Sequence, residues 1–231
     1  MSDLDDLDTL VRQGDPDRWL SSRFIDDARA RADVIALYAF DRELARARRA
    51  ASSPLLAEMR LTWWSEALDE IYGARSVRRH PTALALAEAV HSHALQREPL
   101  EAMIEARIEA LEAQTLDADD AVRWADAVGG SATALAARML DAATSPDSTA
   151  AAGRAWGLTL LVRSGRAELG AVGEALRSAL AEAGRATRGL SVAAFPAVAH
   201  VALARRDLAG RTPSDLAKRL HLLAAMLRGR V

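Results

Sequence analysis

Apolar residues recur along this chain at the three- and four-residue spacing of helix faces, and the alternation typical of strands is hard to find. Four predicted helices begin at a proline, in the pairs Asp15-Pro16, Ser53-Pro54, His80-Pro81 and Glu98-Pro99. Proline suits the first helical position because the N–H it lacks would have no partner inside the helix. The pattern predicts helices at residues 16–24, 32–50, 54–73, 81–93, 99–116, 119–143, 150–188, 190–206 and 213–227.

These elements predict an all-α fold in a single domain. No internal repeat and no long linker interrupts them, and we expect the 150–188 helix to bend at Gly165 or Gly170. The first residues are rich in aspartate and contain no apolar run of the kind found in secretory signals. We therefore expect an acidic flexible leader over residues 1–14 and one helical domain over residues 15–231.

Composition narrows the function classes. The 231 residues include 30 basic and 32 acidic side chains, a balance that gives no support to nucleic acid as a partner. The chain has no cysteine, which excludes disulfides and thiolate chemistry and favours the cytoplasm. The most apolar stretch, residues 190–204, contains Pro196 and His200 and is too short to span a membrane, so we expect at most peripheral contact with the inner membrane.

Two predicted helices carry an ion among their apolar positions. At 100° per residue, Asp41 lies on the same side of its helix as Tyr38 and Leu44. Arg107 likewise interrupts the apolar stripe that contains Met103. Burying a charge alone costs several kcal/mol. We therefore expect each of these ions to have a partner or to face a water-filled cavity.

Two runs of sequence resemble helices of the squalene/phytoene synthase family. The first is Arg31–Ala45, which contains Tyr38-Ala-Phe-Asp-Arg42, and the second is Leu61–Gly73, which contains the adjacent Trp63 and Trp64. Weaker echoes follow in the expected order at residues 104–107, 124–130 and 152–159. The resemblance covers about residues 15–165 and implies the isoprenoid synthase fold, a bundle of helices around a central cavity.

Active members of this family join two prenyl diphosphates head to head and depend on two aspartate-rich helical motifs. Aspartates at i and i+4 share one helix face, where their oxygens hold the Mg²⁺ that binds and ionises the diphosphate. In this chain the resemblance assigns Ala45, Arg46 and Arg49 to the three aspartate positions of the first motif. The first motif therefore lacks its metal ligands.

The second motif is altered too. Only Arg163 is kept, while Leu160 replaces the asparagine and Ser164 the aspartate. Exchanging a carboxylate for an arginine removes an attraction of roughly 4 kcal/mol at about 4 Å and adds a repulsion of similar size. We therefore expect no catalytic residues, no metal ligands and no cofactor; Mg²⁺ would be required only by an active prenyltransferase with unorthodox metal ligation.

The candidate binding residues lie around the vestigial cavity and are Tyr38, Asp41, Arg42, Arg49, Arg107 and Arg163. Two interpretations stay open. In the first, Arg42, Arg46 and Arg49 bind the phosphate of a lipid or an isoprenoid diphosphate directly. In the second, which we favour, Arg46 faces water and Asp41 pairs with Arg48 or Arg107 inside a shrunken cavity.

The segments around Tyr38 and Trp63 resemble one branch in particular, the mitochondrial complex I assembly factor 6 group and its bacterial relatives. This resemblance implies a non-catalytic protein that assists assembly of respiratory complex I (NADH dehydrogenase). Its partners would be subunits or assembly intermediates of that complex. Because a fold does not fix a function, a prenyl diphosphate synthase and an isoprenoid- or lipid-binding protein remain as alternatives.

Overall fold

The computed structural model describes residues 3–51, 53–73, 75–204, 214–229 and 231, and over this part of the chain it contains helices and no strands. The predicted all-α fold is confirmed. The helices are, in chain order, α1 (Asp3–Gly14), α2 (Pro16–Ser22), α3 (Ala28–Arg49), α4 (Pro54–Tyr72), α5 (Pro81–His93), α6 (Glu98–Glu109), α7 (Ala118–Ala125), α8 (Ser131–Leu140), α9 (Asp147–Arg163), α10 (Leu169–Ala186) and α11 (Asp215–Arg228). A π-helical turn, Asp126–Gly130, joins α7 to α8.

Polar side chains cap the starts of several helices. Asp15, Ser53 and Asp117 each accept a hydrogen bond from the backbone N–H three residues further on, at the starts of α2, α4 and α7. Such caps satisfy donors that have no partner inside the helix. The starts predicted at Pro16 and Pro54 are therefore confirmed, together with the geometry that explains them.

The segment expected to be a flexible leader is a helix, and that prediction is wrong over the described residues. Leu7 and Val11 are one helical turn apart in α1, are 3% and 0% exposed, and pack into the core beside α3. Asp8 accepts a hydrogen bond from Nε1 of Trp19 at 2.8 Å. Aspartates dominate the composition of this segment, which obscured an apolar stripe of four-residue spacing.

Two further helix predictions are corrected. In place of a helix over residues 190–206, the chain forms short 3-10 segments at Phe195–Ala197 and Ala199–Leu203, and residues 205–206 lie outside the described part. Pro196 lacks the backbone donor that a continuous helix would need there. The helix predicted over residues 150–188 is divided into α9 and α10, with Gly165 between them at a φ of +69°, which glycine adopts at little cost.

The core consists of two apolar clusters. One gathers buried residues of α1, α3, α4, α5, α6 and α8, and the other gathers those of α7, α9, α10, the 3-10 segments and α11. Trp64 is buried in the first cluster, whereas Trp63 is half-buried at its edge. Adjacent residues of a helix point about 100° apart, so the two tryptophans do not both face the core. No described helix has the length and apolar character needed to cross a membrane.

Glycines let α9 approach the π-helical turn at backbone distance. A Cβ added to Gly129 would lie 2.2 Å from the carbonyl oxygen of Gly153, and one added to Gly157 would lie 2.7 Å from Cα of Ala125. Both distances are shorter than any side chain tolerates, so the crossing depends on glycine. It fixes α9 as one wall of the centre of the bundle, facing α3.

Candidate functional site

A cavity of about 200 Å³ lies where the two clusters of the core meet, between α3, α4, α6, α7 and α9. Its apolar wall is formed by Leu44, Leu61, Leu111, Trp124, Leu160 and Leu161. Its polar wall is formed by Asp15, Asp41, Arg42, Arg48, Arg49, Arg107, Ser164 and Arg166. The cavity therefore has an apolar wall and a polar wall, and in the polar wall arginine outnumbers aspartate.

Four positions to which the resemblance assigned metal ligands meet at this cavity. Ala45 and Arg49 line it from α3, one helical turn apart, and Leu160 and Ser164 line it from α9. The hydroxyl of Ser164 donates to the carbonyl oxygen of Leu160 at 2.8 Å and is thus engaged. The two helices are arranged as a two-motif site requires, but the side chains they present are not anionic.

Asp41 is the centre of a buried ionic network. It is 3% exposed, and one carboxylate oxygen accepts a hydrogen bond from Nη1 of Arg18 at 2.6 Å. The other oxygen accepts a hydrogen bond from Arg107, whose Nη1 also donates to the carbonyl oxygen of Met103 at 2.7 Å. Burial raises the pKa of Asp41, but Arg107 and Arg18 outweigh it and hold that pKa below its usual value. The predicted pairing with Arg107 is confirmed.

Arg18 closes the network from α2. Its guanidinium lies 5.0 Å from the ring centroid of Tyr38, and its Nε lies 3.7 Å from an oxygen of Asp15. Tyr38 is buried behind Arg18 and does not line the cavity, unlike Asp41. Burial raises the pKa of Asp15, and Arg18 opposes that shift. Each carboxylate oxygen of Asp41 is therefore bound by an arginine, and the side chain has a structural role.

Four arginines of the cavity lack a carboxylate partner among the described residues, namely Arg42, Arg48, Arg49 and Arg166. Arg48 and Arg166 each donate to a backbone carbonyl, at 3.0 Å and 2.7 Å. The Nε atoms of Arg42 and Arg166 are buried without a hydrogen-bond partner. Burial and the nearby charge of Arg49 lower the pKa of Arg42. The lining holds five arginines against two aspartates, a formal charge of +3.

Two arginines of the predicted cluster lie elsewhere. Arg46 is exposed, pairs with Glu43 at 3.1 Å and lines a neighbouring surface pocket, so it does not line the cavity. Arg163 points to α2, where its Nη1 donates to Asp17 at 2.8 Å and its guanidinium lies 4.9 Å from the ring centroid of Trp156. Of the six predicted binding residues, Asp41, Arg42, Arg49 and Arg107 are brought together.

The donor set does not fit the magnesium that catalytic relatives require. Hard divalent cations are held by several carboxylate or carbonyl oxygens. Arg18 and Arg107 already bind both oxygens of the Asp41 carboxylate, and the neighbouring positions present guanidinium, aliphatic and hydroxyl groups. No group of three or more His, Asp or Glu side chains in the described part of the chain is arranged to hold a metal ion.

Sequence reasoning missed Arg18, Arg166, Asp15 and Trp124 as parts of the site, and it considered Arg48 only as a possible partner of Asp41. Trp124 lies under Arg107, with 5.5 Å between the guanidinium carbon and the ring centroid. Arg48 carried a usable signal, because it shares the side of α3 on which Asp41 and Ala45 lie. Arg18 carried none, because a seven-residue helix is too short for a periodic pattern.

The sequence profile of one family, Squalene/phytoene synthase, matches residues 11–171 of this chain. A dehydrosqualene synthase crystallised in complex with ligand is similar in fold, with a TM-score of 0.68 at 14% identity over 96% of this chain and 94% of that chain. Squalene synthase HpnC from Alicyclobacillus acidocaldarius gives a TM-score of 0.59 at 18% identity over 98% of this chain and 91% of that chain. No curated protein sequence matches significantly. At these identities the structural likeness shows the fold alone.

Proposed function

Because the chain belongs to the squalene/phytoene synthase family, we propose that it is a non-catalytic member of that family. One observation carries the proposal. Where two aspartate-rich faces would hold the metals, α3 presents Ala45 and Arg49, and α9 presents Leu160 and Ser164. The family's chemistry depends on metal-held diphosphate, and this cavity repels a divalent cation.

The size of the electrostatic change supports the same conclusion. One contact between unit charges at about 4 Å is worth roughly 4 kcal/mol at an effective dielectric constant near 20. Losing one such contact weakens binding by about a thousandfold. Four arginines without carboxylate partners in the described structure add repulsion to that loss. Millimolar magnesium would leave such a cavity essentially unbound by metal.

The reaction itself provides the direct test. The purified chain is incubated with farnesyl or geranylgeranyl diphosphate and Mg²⁺, and an active squalene synthase under the same conditions serves as the positive control. We expect no C30 or C40 hydrocarbon and no release of inorganic diphosphate above the blank. Formation of either hydrocarbon would overturn the non-catalytic assignment.

Within this proposal, the cellular role is assistance to the assembly of respiratory complex I, as the resemblance to the assembly factor group implies. A deletion strain should accumulate incomplete NADH dehydrogenase, and a tagged chain should enrich subunits of that complex. The deletion strain is also complemented with the double variant R42Q/R49Q. Restored assembly of complex I would assign the role to the outer surface, and failure to restore it would assign the role to the cavity. Normal complex I in the deletion strain, without subunit enrichment, would contradict the assembly role.

A second candidate function is the binding of an isoprenoid or lipid phosphate without metal. The unpaired guanidinium groups beside an apolar wall favour it, because Arg42 and Arg166 each hold a buried Nε that lacks an acceptor. A phosphate oxygen supplies such acceptors, and arginine binds phosphate by paired hydrogen bonds. The ligand would place its anionic end among the arginines and its hydrocarbon end against the leucines.

Calorimetry with geranylgeranyl diphosphate in EDTA tests this second candidate. We expect binding that does not require Mg²⁺ and that R49Q weakens by roughly 10- to 150-fold, since one lost charge-assisted hydrogen bond is worth roughly 1.5–3 kcal/mol. R46Q is the matched control, because Arg46 lies on the same helix, is exposed and does not line the cavity. No heat of binding, or equal weakening by both variants, would contradict the candidate.

A further inference from the structure

The outer face of α11 carries a stripe of exposed leucines. Their spacing of four, three and four residues keeps them within about 60° of the helix circumference. The four side chains are Leu216 at 68% exposure, Leu220 at 56%, Leu223 at 44% and Leu227 at 80%. The stripe is therefore a continuous apolar face that no described element covers, rather than scattered surface leucines.

The opposite face of α11 is fixed to the rest of the molecule. Leu222 and Ala225 are buried in the second apolar cluster, and the helix packs against the 3-10 segment Ala199–Leu203. Nζ of Lys218 donates to Asp17 at 2.8 Å, and Asp17 is fully buried. These contacts orient α11, so the leucine stripe is presented outward by the fold itself.

A basic pocket opens beside this stripe, between α10 and α11. It has a volume of about 540 Å³, and its charged and titratable side chains are Arg185, Arg188, His221 and Arg228. No acidic side chain lines it, and its remaining walls are small residues such as Gly184 and Ala224. The three arginines are exposed and have no carboxylate partner among the described residues. The pocket thus offers guanidinium groups in a concave setting whose described lining contains no Asp or Glu side chain.

Helix geometry sets the pocket directly against the leucines. Arg228 follows Leu227, and Ala224 follows Leu223, so the pocket lies about 100° around the helix from the stripe. On the other flank, Arg219 is exposed between Leu216 and Leu220 along the chain. Basic side chains therefore border the apolar stripe on both sides.

We propose that α11 docks this protein on the surface of a membrane that contains anionic lipids. An apolar stripe bordered by arginines is the pattern by which amphipathic helices lie in the interface, with leucines in the acyl boundary and cations among the headgroups. The pocket of Arg185, Arg188 and Arg228 receives a lipid phosphate, and its positive charge complements the negative surface. The proposal uses no residue of the central cavity and is independent of the proposed function.

Vesicle flotation with the full chain tests the proposal. Vesicles of phosphatidylcholine alone are compared with vesicles in which about a third of the lipid is phosphatidylglycerol. We expect flotation with the anionic vesicles that falls as salt is raised. L220S/L227S should lower the bound fraction at least tenfold, and R185Q/R188Q should abolish the preference for anionic vesicles.

Matched controls separate docking from loss of folding. L55S removes a leucine that is 65% exposed on α4, far along the chain, and should float like the unaltered protein. Each variant must keep the circular dichroism melt of the unaltered protein; if L220S/L227S does not, L216S and L223S singly take its place. Absence of flotation with anionic vesicles, or flotation of the leucine variants at the unaltered level, would overturn the proposal. So would a dimer in solution that L220S/L227S converts to a monomer while flotation is absent.

Discussion

Replacing Asp41 by asparagine should strongly destabilise the centre of this bundle. The substitution keeps the shape of the side chain but removes the negative charge that two buried cations share. Arg18 is 1% exposed and Arg107 is 9% exposed, so neither can turn its guanidinium to water without opening the core. The perturbation therefore leaves Arg107 without a counter-charge and leaves Arg18 with only the more distant Asp15, 3.7 Å from its Nε.

The magnitude follows from the two contacts of the carboxylate. Each is worth roughly 4 kcal/mol at about 4 Å and an effective dielectric constant near 20. The cost of dehydrating the carboxylate, several kcal/mol, offsets part of that sum. A loss of about 3–5 kcal/mol in the free energy of unfolding remains, out of about 5–15 kcal/mol for a typical domain. For a chain of 231 residues this corresponds to a fall in Tm of roughly 6–20 °C.

Urea unfolding followed by circular dichroism measures this loss. Asp126→Asn is the matched control. Asp126 pairs with Arg154 at 2.7 Å, and the two side chains are 42% and 36% exposed, so this ion pair should contribute less than about 1 kcal/mol. Adding Arg107→Met to Asp41→Asn should recover part of the loss, since one of the two stranded charges is removed. A loss below about 1 kcal/mol for Asp41→Asn would refute the reasoning.

Acid titration provides a second measurement on the same group. Arg107 and Arg18 hold the pKa of Asp41 below the value of 3.8 found in the unfolded chain, in spite of burial. A carboxyl with a depressed pKa in the folded state stabilises the protein above its unfolded pKa, and that contribution is lost as the pH falls through the folded pKa. The unaltered protein should therefore lose stability below about pH 4, and Asp41→Asn should lose less over the same range.

Four other variants test three separate features of the fold. Gly157→Ala should lower the free energy of unfolding by about 1–3 kcal/mol, because the added Cβ would meet the backbone of α7. Gly170→Ala, where no atom lies within 4 Å of the added Cβ, should raise it by about 0.4–1 kcal/mol. Equal effects of the two variants in urea melts would contradict the close crossing. Burial lowers the pKa of His200, so only the unfolded chain gains that proton below about pH 6.5, and stability should fall by up to about 1.4 kcal/mol per pH unit there; His200→Phe should flatten this slope. Asp17→Asn should cost about 3–5 kcal/mol, because two cations lose a fully buried partner, and a loss that disappears in high salt would contradict it.

Much of the fold could be predicted from local signals. Helix starts followed from proline after a capping residue at Asp15 and Ser53, and the family resemblance supplied the arrangement of the bundle. The pair of Asp41 and Arg107 could also be predicted, because each is an ion on an apolar stripe. Arg18 could not, since it joins the network across 23 positions of sequence from a helix of only seven residues. Contacts of that kind depend on tertiary packing, which no periodic pattern encodes.

The misplacement of Arg163 has a different cause. Leu160 and Ser164 are one turn apart and both line the cavity, so they mark the face of α9 that matters. Arg163 precedes Ser164 by one residue and is therefore rotated by about 100° from that face, toward Asp17. Direction around the helix, more than proximity in sequence, therefore decides whether a residue of α9 reaches the cavity.

The proposed loss of the metal site is compatible with the stability of the fold. The positions that would hold metal, such as Ala45 and Arg49, are half-buried or exposed at the cavity wall, where a change of side chain costs little stability. The contacts that fix the bundle lie elsewhere, in the two apolar clusters and the glycine crossing of α9. Asp41 differs from those positions because two buried cations depend on it. Asp41, the acid of α3 that lines the cavity, thus stabilises the fold. Its presence is therefore not evidence of catalysis.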